Sequence, residues 1–66
     1  MKIKFPTNLY SRKAVEAAAV DFAEWARFEI IEKDGVIGVE AITEPGMEIS
    51  ENFKEEFSNY VLGQMS

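Results

Sequence analysis

Polar and apolar residues alternate from the second position onward, Lys2-Ile3-Lys4-Phe5, which places Ile3 and Phe5 on one face of a strand and both lysines on the other. Pro6 has no amide hydrogen to give to a ladder, so it ends this strand or confines it to an edge. The period then changes. Val15, Ala18, Ala19, Phe22 and Ala26 recur at helical spacing, Ala14 and Trp25 flank them, and Arg12, Lys13, Glu16 and Glu24 point away. Ser11 stands at the N-cap, and Tyr10 before it is positioned to pack on Val15 as a hydrophobic staple. A helix is predicted from Arg12 to about Ala26, with Val20 projecting from its polar side.

Two apolar runs follow, Phe28-Glu29-Ile30-Ile31-Glu32-Lys33 and Val36-Ile37-Gly38-Val39-Glu40-Ala41-Ile42, on either side of Asp34-Gly35. That dipeptide is the signature of a two-residue type I′ hairpin turn, whose central residues both take positive φ. The turn sets Lys33 opposite Val36, Ile30 opposite Val39, Phe28 opposite Ala41 and Glu29 opposite Glu40. Phe28, Ile30, Ile37, Val39 and Ala41 then share a buried face. The other face carries Glu29, Ile31, Val36, Gly38, Glu40 and Ile42, more apolar than a fully solvated face needs. Glu44-Pro45-Gly46 reads as a turn. Ser50 reads as a second N-cap, followed by a helix from Glu51 to about Leu62 with Phe53, Phe57, Tyr60 and Val61 on one face and Gly63 as its stop.

No internal repeat, linker or low-complexity segment interrupts this order, so residues 1–66 form a single α+β domain of βαββα type. A crossover from the first strand places the third strand between first and second, order 1-3-2, a split βαβ with both helices on one face of a three-stranded sheet. The third strand is the most continuously apolar and suits the centre. Like charges directly opposite are destabilising, and in this order Lys2 or Lys4 comes onto the same face as Glu29 and Glu40.

Composition narrows the chemistry. The 66 residues contain no histidine and no cysteine. Thiolate nucleophiles, Cys or His metal sites, iron-sulfur clusters and Ser-His pairs are therefore excluded. Ser11, Ser50, Ser58 and Ser66 lack an imidazole base, and two of them serve as caps. The glycines are isolated and form no phosphate-binding loop. No catalytic residue, cofactor or metal ligand is assigned, and the chain is expected not to be an enzyme. The runner-up is a small carboxylate-based enzyme or divalent-metal-binding protein built on Glu51 and Glu55, four residues apart, with Glu48 one turn upstream. A net charge of -5 argues against nucleic acid and anionic membranes as partners, since both are held by Lys and Arg. No apolar run approaches the ~20 residues of a membrane span, and Pro6 interrupts the start before a signal-peptide core develops. A cytoplasmic protein is expected.

What the elements do not absorb is apolar surface. Val20, Ile31, Val36, Ile42, Leu62 and Met65 fall outside the buried stripes and form the candidate partner surface, with Trp25 at the flank of its stripe as a further contact residue. A protein or peptide partner, or a homodimer burying Ile31 and Ile42 or Leu62 and Met65, is the expectation. A domain this short buries only ~60% of its unfolded surface, which adds to the case for self-association. An exposed sheet edge also suits an extended peptide added as a strand.

Leu9-Tyr10-Ser11, followed by Ala14-Val15, Ala17-Ala18-Ala19, Phe22 and Phe28-Glu29-Ile30, resembles the N-terminal half of the HxsD family of His-Xaa-Ser system proteins. Glu56-Phe57-Ser58-Asn59-Tyr60-Val61-Leu62-Gly63-Gln64 is similar to that family's Glu-Phe-x-Asn-x-x-Leu-Asp-Gln. Gly63 stands where the family has Asp, and the family typically continues after this point into a basic helical segment, whose role is expected to be absent here or supplied by a partner. The resemblance implies a small non-catalytic accessory in a bacterial peptide-maturation cluster containing radical-SAM proteins. The absence of cysteine fits such a member, because a radical-SAM cluster needs Cys ligands.

Overall fold

Five elements follow one another in the computed structural model, which describes residues 1–43, 46 and 51–65. They are β1 (Lys2–Pro6), α1 (Arg12–Asp21), β2 (Arg27–Lys33), β3 (Val36–Ile42) and α2 (Phe53–Gln64). The sheet order is β1-β3-β2, with β3 antiparallel to both neighbours. β1 and β2 therefore run in the same direction with β3 between them, the split βαβ predicted from the alternation and the hairpin.

The hairpin fixes the register. Asp34 and Gly35 take φ of 52° and 76°, the pair of positive values that a type I′ turn requires. Lys33 then pairs with Val36, Ile30 with Val39, Phe28 with Ala41 and Glu29 with Glu40. On the other side Ile3 pairs with Val39 and Phe5 with Ile37. Thr7 fastens the end of β1 to the turn: its amide and its hydroxyl both donate to the Gly35 carbonyl, at 2.9 and 3.1 Å.

Period-two alternation sends Ile3, Phe5, Ile37, Val39 and Ala41 to one face, where they are buried, and α1 and α2 cover that face. Ser11 caps α1 by accepting from the Ala14 amide at 3.1 Å. Ala14, Val15, Ala18 and Ala19 are the buried stripe of this helix, with Phe53, Phe57 and Val61 that of α2. Phe57 is fully buried, and its ring centroid lies 5.2 to 6.0 Å from those of Phe28, Phe22, Phe53 and Phe5. Tyr10 meets the Phe5 ring edge-on at 4.8 Å.

Both helices differ from the sequence expectation at their ends. α1 stops at Asp21, not near Ala26. The Ala23 amide donates to Val20 at 3.2 Å and the Trp25 amide to Phe22 at 3.0 Å, so three-residue turns replace the helical bonds. This tightening holds Phe22 against Phe53, Phe57 and Tyr60. Ala26 is still buried, from the connection into β2 rather than from the helix. α2 begins at Phe53, and the side chain of Asn52 at its N-cap makes no capping hydrogen bond. The helix continues through Gly63 to Gln64, so Gly63 is not the stop. It lacks the positive φ of a glycine terminator, and a β-carbon there would meet nothing within 4 Å. Ser50, Glu48 and most of the Glu44-Pro45-Gly46 turn lie outside the described residues. Gly46 itself is in a turn with φ of 93°.

The two helices are tied by a polar contact in which the Tyr60 hydroxyl donates to the Asp21 carboxylate. This hydrogen bond, then desolvation and the negative charge of Asp21, raise the Tyr60 phenol above its ordinary value of 10.0, because the protonated phenol is the form that donates. A folded-state value above the unfolded one means that the contact's contribution is complete below about pH 10 and is lost as pH climbs through the folded value. Asp21→Asn is expected to bring the Tyr60 titration back down, read from its ring-carbon NMR shifts against pH. An unchanged midpoint would show that the carboxylate is not the cause.

Candidate functional site at the outer face of the sheet

With both helices on one face, the other face of the sheet is left open, and the register sorts its side chains into rows. Lys2, Glu40 and Glu29 form one row, Lys4, Gly38 and Ile31 the next, and Pro6, Val36 and Lys33 the third. Ile42 and Arg27 extend the face at the far end. The middle row is the unusual one, because its central position has no side chain. A trough of about 720 Å³ opens there, lined by Lys2, Lys4, Ile31, Val36, Gly38 and Glu40 among others.

Gly38 is not required by the backbone. It sits in ordinary extended conformation at the middle of the central strand, and a β-carbon on it would come no closer than 3.5 Å to its nearest neighbour, the Ile31 carbonyl oxygen. Glycine in a strand interior weakens the strand, through lost entropy and lost packing. Here it leaves bare backbone at the floor of a depression whose walls are the aliphatic stem of Lys4 and the side chain of Ile31. Ile31 is 68% exposed, while Val36 is half-buried.

Charge on this face departs from that of the whole chain. Four of the seven basic residues, Lys2, Lys4, Arg27 and Lys33, point outward from the strands, against the carboxylates of Glu29 and Glu40. The ion partner of Glu40 is the Met1 α-ammonium at 3.1 Å, which also donates to the Ala41 carbonyl at 3.0 Å. The expected lysine neutralisation of Glu40 is therefore not made. Lys2 lies opposite Glu40 in register, but neither Lys2 nor Lys4 forms an ion pair with it, because the α-ammonium at the start of the same strand reaches the carboxylate first. Glu29 faces Glu40 across the ladder and forms no ion pair among the described residues.

The candidate surface residues divide into separate groups. Ile31 and Val36 meet at the trough, and Ile42, 41% exposed, lies on the same face beyond Glu40. Val20 projects from α1, and Leu62 and Met65 belong to the end of α2; all three are exposed on the helical layer, away from the outer face of the sheet. Trp25 is exposed by 55%, with its ring edge-on to Phe22 at 5.6 Å. Glu51 and Glu55 are exposed, Glu48 lies outside the described residues, and no group of three carboxylates converges among the described residues. No helix among the described residues is long and apolar enough to cross a membrane.

Two site residues escaped the sequence reading, Lys4 and Gly38. Gly38 carried a signal: a lone glycine inside an otherwise β-branched run marks a bulge or a close approach, and no bulge is present. Lys4 could be placed beside it only once the β1-β3 register was known. No family model, curated protein or solved structure matches the chain.

Proposed function

We infer that the chain is a non-catalytic binding module that takes an acidic protein segment on the outer face of its sheet. The observation that carries this reading is the middle row, Lys4-Gly38-Ile31: a cation with no ion-pair partner among the described residues, bare backbone, and an exposed isoleucine in line across three strands. An aliphatic or aromatic side chain fits the space above Gly38, and a flanking carboxylate meets Lys4. Basic side chains outnumber acidic ones on this face in a chain that is acidic overall, which supports an acidic occupant. The resemblance to HxsD proteins supports reading the module as an accessory in peptide maturation, where an extended peptide is the natural occupant.

Gly38→Val separates binding from folding. Valine fills the trough, and in a central strand the change from glycine is expected to stabilise the domain by about 0.5 to 1 kcal/mol. The probe is a short synthetic peptide with a Leu-Phe pair flanked by Asp and Glu, with a lysine-flanked version as control. Native protein is expected to show amide shifts at Lys4, Ile31 and Gly38 with the acidic peptide only, and Gly38→Val none. Equal shifts with both peptides, or shifts confined to the helices, would reject the site.

A further inference from the structure

We propose that β2 is the seam of a symmetric homodimer, in which two copies join edge to edge and continue the sheet across six strands with Ile31 on the two-fold axis. β2 is an edge strand of seven residues, with no proline and no bulge to blunt it. Lys33 and Val36 close the hairpin, so Ile31, Glu29 and Arg27 bond to β3. The backbone groups of Phe28, Ile30 and Glu32 then point outward. No backbone hydrogen bond from the described residues reaches them along that edge.

The order of charges along β2 selects one register. Two such edges pair antiparallel only when outward-pointing residues face one another, which puts the axis on a single residue. An axis at Phe28 pairs only residues 27 to 29 of the strand, against residues 29 to 33 for an axis at Ile31; one at Glu29 sets two Glu29 side chains against each other, one at Ile30 sets Arg27 against Lys33, and one at Glu32 opposes two Glu32 side chains. An axis at Ile31 has none of these conflicts. It opposes Ile31 to Ile31 and Glu29 to Lys33 of the second copy, twice by symmetry, and Ile30 and Glu32 exchange backbone hydrogen bonds. Glu32 keeps its contact to Arg12, 3.4 Å in the monomer. Glu29, which faces Glu40 within its own sheet, gains the opposite charge it lacks. A two-fold interface must be self-complementary, and the sequence Glu29-Ile30-Ile31-Glu32-Lys33 is so about its centre on the outer face.

The seam shares Ile31 with one wall of the trough but leaves its floor at Gly38 and its far wall at Lys4 uncovered, so it does not depend on peptide binding. Gly38→Val is expected to abolish peptide shifts and leave association unchanged. In a non-hydrogen-bonded antiparallel pair the Cα atoms approach to about 4.5 Å, within the reach of a disulfide, and the chain has no cysteine of its own. Ile31→Cys is expected to cross-link to a covalent dimer under mild oxidation, and Ile30→Cys to form no cross-link. By sedimentation equilibrium, Glu29→Lys is expected to lower the association constant about tenfold or more, and Glu29→Lys with Lys33→Glu to restore it to within about threefold. A single monomer mass for the native chain up to millimolar concentration overturns the proposal. Equal cross-linking at positions 30 and 31, or no rescue by the charge swap, overturns it as well.

Discussion

Replacing Phe57 with alanine is expected to leave the chain unfolded at room temperature. The ring is fully buried and touches four other phenylalanines, drawn from β1, β2, the turn after α1 and its own helix. No neighbour can collapse into the space without leaving its own place in that cluster. A buried Phe→Ala change costs about 3 to 5 kcal/mol, and a domain of this length has a total stability of roughly 3 to 10 kcal/mol, toward the low end where no disulfide helps. Far-UV circular dichroism and amide dispersion check it. Phe57→Leu, which keeps much of the volume, is expected to lose only about 1 kcal/mol and stay folded in urea titrations. A cooperative transition in Phe57→Ala within 1 kcal/mol of the native one, a bound set well below that range, would show that the cluster contributes far less than its geometry implies.

The second large effect runs in the opposite direction of volume. Ala18 has no exposed surface and sits with Ala14 and Val15 on the buried stripe of α1. Small residues there let the helix backbone approach the sheet and α2 closely. Ala18→Leu is expected to destabilise by about 1 to 3 kcal/mol through overpacking, although leucine is nearly as good a helix former as alanine. Val20, on the opposite side of the same helix and 73% exposed, supplies the control. Val20→Ala is expected to stabilise by about 0.5 kcal/mol from propensity alone. Equal effects at the two positions in urea denaturation would contradict the packing described for α1.

The parts of the fold legible in the sequence were those set by local rules. Asp34-Gly35 dictates positive φ at two successive residues, and from that alone the whole β2-β3 register follows by counting. Lys2 to Phe5 alternates cleanly, and Ser11 has the side chain a cap needs. What could not be read were the ends of the helices, because these depend on distant partners. α1 stops early where Phe22 turns into the rings of α2, and no residue between Asp21 and Ala26 announces it. Gly63 looks like a terminator but is accommodated as an ordinary helical residue. The site was half legible for the same reason. Ile31 and Val36 were recognisable as apolar residues on the wrong face, whereas Lys4 joins them only through pairing between segments more than thirty residues apart. The identity of the occupant is not written in any motif, since a bare-floored trough constrains shape and charge and not sequence.

The central strand acquires its two neighbours at very different distances along the chain. β2 reaches β3 through a two-residue turn, while Lys2 must find Glu40 and Phe5 must find Ile37. Closing the longer loop costs more entropy before any contact rewards it, and non-local pairing is what slows folding. The hairpin is therefore expected to form first, with β1 docking after the barrier. Changes at the turn should act on the folding rate, and changes at Ile3 or Phe5 on the unfolding rate. In kinetic terms β1 is the strand that governs how long the native state lasts once formed.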